Sequence, residues 1–122
     1  MVNLTKNFKT YAINCYGVKM GNDWNISILG GDTPHIGAVA LGVPRESLED
    51  PNKISSSVSL ITVTGHKEDV IVQKLAKLLS KELNSTVVVC CGIHIDNISF
   101  EDIVSINETI DNLIEEFLLT IK

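Results

Sequence analysis

The sequence predicts an α+β domain in two layers, a mixed and mostly antiparallel sheet with two helices on one face. Three observations predict it. Apolar, β-branched runs punctuated by glycine-rich turns occupy the first half, a strand–helix–strand pattern follows, and a long amphipathic stripe closes the chain. With 122 residues, one domain spanning 1–122 is expected, because either half alone buries too little surface to fold. Hydrophobic residues make up 44% and charged residues 20%, a globular balance, while aromatics reach only 5%. The core must therefore come from Ile, Val and Leu.

Taken in order, Tyr11–Met20, the turn residues Gly21-Asn22-Asp23 and the strand-like Trp24–Leu29 predict a hairpin. Gly30-Gly31-Asp32-Thr33-Pro34 is a second tight turn, and Ile36–Val43 a buried strand whose Gly37 and Gly42 signal close approach by a backbone or a ligand. Pro44–Ser57 reads as a surface excursion with a short helical turn at Ser47-Leu48-Glu49, and Val58–Thr64 as a strand ending at Gly65. A helix follows, with Glu68 and Asp69 in its first turn and Val72, Leu75, Leu79 and Leu83 along one face. Thr86–Ile95 returns as a strand. Asn97 or Ser99 then caps a final helix whose stripe, Ile103, Ile106, Ile110, Leu113, Phe117 and Ile121, is close to a heptad seam. Met1–Lys9 is polar and receives no element. Helices on one face leave the other uncovered, and a symmetric homodimer is the expected cover.

Charge narrows the partners. The net charge is -5, and the cations are the single arginine Arg45 and nine scattered lysines, so nucleic acid is not expected. A small anionic ligand stays compatible, since a few amides and one lysine suffice for a phosphate. Met1–Lys9 does not resemble a secretory leader, and no apolar run approaches the roughly 20 residues that span a bilayer. Three cysteines, two of them adjacent at Cys90 and Cys91, make a poor disulfide framework. Reduced thiols in a cytoplasmic protein without a membrane partner are expected. Adjacent strand residues face opposite ways, so only one of Cys90 and Cys91 can look into a shared site.

Each of the three histidines sits where a strand meets a turn: His35, His66 and His94. Strand-end turns are where scaffolds present functional groups. One reading is a metal site of two or three imidazoles with Asp32, Asp96 or Glu68, although no ligand-spacing signature supports it. A second is anion binding at Gly65-His66-Lys67, where a helix start offers free amides and Lys67 a positive charge, opposed by Glu68 and Asp69 just behind. The plain alternatives are loop-fixing histidines and an ordinary strand-to-helix connection. Asp32 and Glu68 could serve as acid or base only if they meet. No nucleophile elbow, Walker loop or dinucleotide fingerprint is present.

The strings Gly30-Gly31-Asp32-Thr33-Pro34-His35-Ile36-Gly37-Ala38-Val39-Ala40, Gly65-His66-Lys67-Glu68-Asp69 and Gly92-Ile93-His94-Ile95-Asp96, in that order, resemble the LpdD-like family of prenylated-flavin chaperones. The resemblance covers most of the chain. It implies a dimeric fold similar to proteasome assembly chaperones. It also implies a non-catalytic or weakly catalytic helper that binds reduced prenylated FMN and helps deliver it to, or activate it for, a UbiD-type decarboxylase. Carried over, Gly30, Gly31, Asp32 and His35 line one side of the pocket and His66, Lys67 and Glu68 another, with His94 approaching from the neighbouring strand. Gly37 and Ala38 would let the flavin ring lie close, with Trp24, Tyr11 and Tyr16 as the available stacking partners. The competing reading is a small metal-dependent enzyme with His35, His66 and His94 as ligands and Glu68 or Asp32 as base. A third is an assembly protein whose turns only maintain the fold.

Overall fold

Alternation and helical periodicity sort this chain into eight elements. The structure is a computed structural model and describes residues 1–63 and 68–122. In chain order the elements are β1 (Val2–Phe8), β2 (Tyr11–Met20), β3 (Asp23–Gly31), β4 (Ala38–Glu46), β5 (Ile54–Thr62), α1 (Glu68–Leu83), β6 (Val87–His94) and α2 (Phe100–Ile121). The six strands form one sheet in the order β1-β2-β3-β6-β4-β5, with β3 and β6 parallel and every other pair antiparallel. The expected α+β architecture is present.

The register puts Ile13, Cys15, Ile26, Ile28, Val87, Val89, Cys91, Ala38 and Ala40 on one side of the sheet, all buried. Both helices cover that side: α1 lies over β4, β5 and β6, and α2 over β1 and β2. The small residues Ala38, Ala40 and Gly42 of β4 let α1 come very close. A side chain at Gly42 would strike the Ala76 carbonyl, and Ser80 of α1 shares a buried 2.5 Å hydrogen bond with Ser56 of β5. Gly42 thus answers to a helix backbone and not to a ligand. On the other half, Phe117 of α2 meets Trp24 edge-on, with ring centroids 5.1 Å apart.

Three local expectations differ. Met1–Lys9 contributes an edge strand, β1, whose alternation turns Leu4 and Phe8 inward and Asn3, Thr5 and Asn7 outward. Its polar composition is that of a half-solvated edge. Pro44–Ser57 is no excursion: β4 runs on to Glu46 and β5 starts at Ile54. Pro44 is tolerated because β4 has by then passed its β6 partner, whose pairing stops at Gly42, leaving one flank without ladder bonds. Residues 47–49 form no helical turn. The Ser47 N–H donates to the Lys53 carbonyl, and the Asp50 carboxylate accepts from the Asn52 N–H, closing a hairpin loop. The cap of α2 is Ser99, in a reciprocal capping box with Asp102, while Asn97 occupies the left-handed region at φ 58°.

Candidate functional site

Because β3 and β6 are parallel, their carboxyl ends emerge at the same edge of the sheet. The antiparallel β4 begins at that edge, and β5 ends there. The turn after β3, the turn after β6 and the first turn of α1 are thereby brought together.

The two turns are clipped by backbone geometry. The Asp32 N–H donates to the His94 carbonyl (2.6 Å), and the Asp32 carboxylate accepts from the Asp96 N–H (2.9 Å). Gly31 turns the chain at φ 83°, a conformation open to glycine at little cost. The segment 32–37 then passes directly over β6, where a side chain at Gly92 would collide with the His35 carbonyl. Its far end is pinned by the Gly37 N–H to the Cys91 carbonyl (3.0 Å) and by the Val63 N–H to the Gly37 carbonyl (2.8 Å).

This crossing delivers His35 to Glu68. The His35 Nε2 lies 3.5 Å from Glu68 Oε1, while its Nδ1 is 3.1 Å from the Thr33 carbonyl. The Thr33 carbonyl can only accept, so this contact suits a ring protonated at Nδ1, with Nε2 turned to the Glu68 carboxyl group. Glu68, 8% exposed, also accepts from the Ile93 N–H at 3.4 Å, so one side chain of α1 ties the helix start to the end of β6. His94 lies beside His35, ring centroids 6.3 Å apart, and its Nε2 is 3.0 Å from Asp96 Oδ1. His94 is half exposed and Asp96 more so, giving this edge a solvent-facing polar surface over a buried acid. Behind it, burial first, then the Glu68 carboxylate and Cys90, push the Cys91 thiol far up, which keeps it protonated and a poor nucleophile.

Of the residues singled out in the sequence, His35, Glu68 and His94 meet. Asp32 uses both its amide and its carboxylate to hold the neighbouring turn. Gly30 is buried in the sheet against the Ala12 backbone, and Gly37 is backed by the Glu68 carboxylate. Ala38 is buried, and Trp24 is in the core at the opposite end of β3. His66 and Lys67 lie outside the described residues. Among the described residues no group of three or more His, Cys, Asp or Glu side chains is set to hold a metal ion. Asp96, singled out in the sequence as a metal co-ligand, is here the direct partner of His94, two residues before it. Phe100, 79% exposed at the start of α2 just beyond this turn, had no signal in the sequence, since it lies outside the apolar stripe of the helix.

Two recesses lie apart from these histidines. One, of about 120 Å³, sits between α1 and α2 and is lined by Val70, Ile71, Lys74, Leu75, Asn107, Ile110 and Asp111. The other lies at the opposite end of the sheet, around Lys19, Asn22 and Trp24. No helix among the described residues is long and apolar enough to cross a membrane.

No curated protein matches the chain closely enough to count as a relative. A family profile does match it, described as the prenylated flavin chaperone LpdD-like domain, and the match runs over residues 7–122, from the end of β1 through α2. The chain belongs to the LpdD-like family of prenylated flavin chaperones.

Proposed function

We propose that this protein is a cytoplasmic homodimer that binds reduced prenylated FMN and assists its delivery to, or activation for, a UbiD-type decarboxylase, as a non-catalytic or weakly catalytic helper. The family match across residues 7–122 carries this reading. The gathering of His35, Glu68 and His94 at one sheet edge supports it. The pyrimidine edge of a flavin alternates donors and acceptors, which two imidazoles and a carboxyl group can match whichever way their protons sit. Binding would fall to His35, Glu68, His94 and the backbone around Gly30, Gly31, Asp32 and Gly37, with His66 and Lys67 at the helix start as the phosphate subsite.

The test is an anaerobic titration with reduced prenylated FMN, with plain reduced FMN as control and metal analysis of the same sample. Prenyl-dependent binding is expected, weakened about tenfold or more by His35→Ala or His94→Ala, the loss of one or two hydrogen bonds. His66→Ala with Lys67→Ala is expected to weaken both flavins alike. Failure of both flavins to bind would remove the chaperone reading. Unchanged affinity in the His35 and His94 variants would move the site elsewhere.

A further inference from the structure

The edge that carries His35, Glu68 and His94 is also where both helices begin. β5 and β6 end there and lead into α1 and α2, and the Lys9 ammonium of the β1–β2 turn meets Asp102 of α2 at 2.8 Å across the same edge. Around the histidines stand five apolar side chains that lie outside the core: Ile36 beside His35, Val63 after β5, Val70 in the first turn of α1, and Ile98 and Phe100 where α2 begins. They are between 37% and 79% exposed, too much for core residues. Phe100 is the most exposed of them, and the fold makes no use of its ring, since Ser99 and Asp102 cap the helix. Single exposed apolar residues are ordinary, but five around one polar site form a collar.

The same edge concentrates the negative charge of the chain. Asp32, Glu68, Asp69, Asp96, Glu101 and Asp102 lie on it, against Lys9 and, outside the described residues, Lys67. With fifteen carboxylates and ten cations in all, the rest of the molecule keeps nine against eight and is nearly neutral. The two helix starts return roughly half a positive charge each, so the edge stays negative. Some of these carboxylates have local duties, Asp32 in its turn and Asp102 in its cap, yet the field that an approaching molecule meets is their sum.

We propose that this edge is a docking surface for a second protein whose pocket for a flavin phosphate opens in a basic, apolar-lipped mouth. The assignment rests on the chaperone reading above and adds where, and by what forces, the recipient of the flavin docks. Charge complementarity selects the occupant. A protein that holds a phosphate dianion surrounds it with cations and amide donors, so the mouth of its pocket is positive. Acidic proteins, nucleic acids and anionic membranes are repelled by such an edge. Six strands about 4.8 Å apart, with one layer of helices on them, make an edge of about 24 Å by about 20 Å, or about 500 Å² for each partner. That is the size of a transient encounter, which a protein that hands over a ligand and leaves requires.

Stopped-flow transfer of reduced prenylated FMN from the loaded full chain to a cofactor-free UbiD-type decarboxylase tests it. Transfer by docking makes the rate rise with decarboxylase concentration and fall with added salt. Phe100→Ala and Glu101→Lys are each expected to slow transfer about tenfold, and neither is expected to weaken flavin binding. Leu48→Ala, which removes a still more exposed apolar side chain at the opposite end of the sheet, is expected to leave the rate unchanged. A rate independent of decarboxylase concentration would mean release into water, and it overturns the proposal. So does a rate that stays at the wild-type value in both Phe100→Ala and Glu101→Lys. A chain that takes up no flavin at all overturns the chaperone reading, and this inference with it.

Discussion

At the scale of single residues, Gly92 carries more of the site than any side chain. It is the point at which 32–37 can cross β6, and the crossing brings His35 to Glu68. Gly92→Ala is expected to push the His35 carbonyl away and cost about 1–3 kcal/mol, as overpacking does. Urea unfolding measures this, and the same variant should lose flavin affinity although Gly92 offers no side chain to a ligand. Wild-type stability in Gly92→Ala would mean that the segment has room to spare. The histidines were legible as candidates because glycines and strand ends framed them. Their grouping was not, because pairing Gly31 with His94 requires β3 and β6 to be parallel neighbours, a fact of sheet order. Asp32 shows the converse. An aspartate in a glycine turn reads as a ligand group, yet here it spends its hydrogen bonds on Asp96 and His94.

Among the elements, α1 and α2 were the most legible, since their apolar stripes repeat at the period of a helix. The seam of α2 looks like a coiled-coil face, but Ile106, Ile110, Leu113, Ile114 and Phe117 are all buried within one chain, against the sheet. The stripe is therefore spent inside the chain and not on a partner helix. Ile110→Glu, which places a carboxylate where exposure is 1%, is expected to cost about 3 kcal/mol or more and lower the melting temperature by about 10 °C or more. Leu119→Glu, on the exposed side of the same helix, should change stability by less than about 0.5 kcal/mol. Equal effects would contradict this division of faces. The strands were less legible at the edges. β1 and the first half of β5 are built of Asn, Lys, Thr and Ser because water bathes one side, and such residues resemble loop.

Taken whole, the molecule has a core of aliphatic side chains and sealed thiols, and this predicts its response to alkali. Burial raises the Cys15 thiol from 9.0 to about 11, so between those values the unfolded chain ionises while the folded one holds its proton. Stability is then full below pH 9 and falls as pH rises toward 11, by on the order of 2–3 kcal/mol from this group. Urea unfolding across that range should show the decline, and Cys15→Ala should make it shallower while leaving the share of the still higher Cys91 thiol. An equal slope in both proteins would assign the loss to other groups.

By itself the sequence determined the α+β class, the two helices with their inward faces, and the family, because these are written in local periodicity and in three short strings. The tertiary structure alone decided that β6 inserts between β3 and β4, and which strand ends therefore share an edge. Strand order is set by which surfaces bury most together, a property of the assembled layers to which no local window has access.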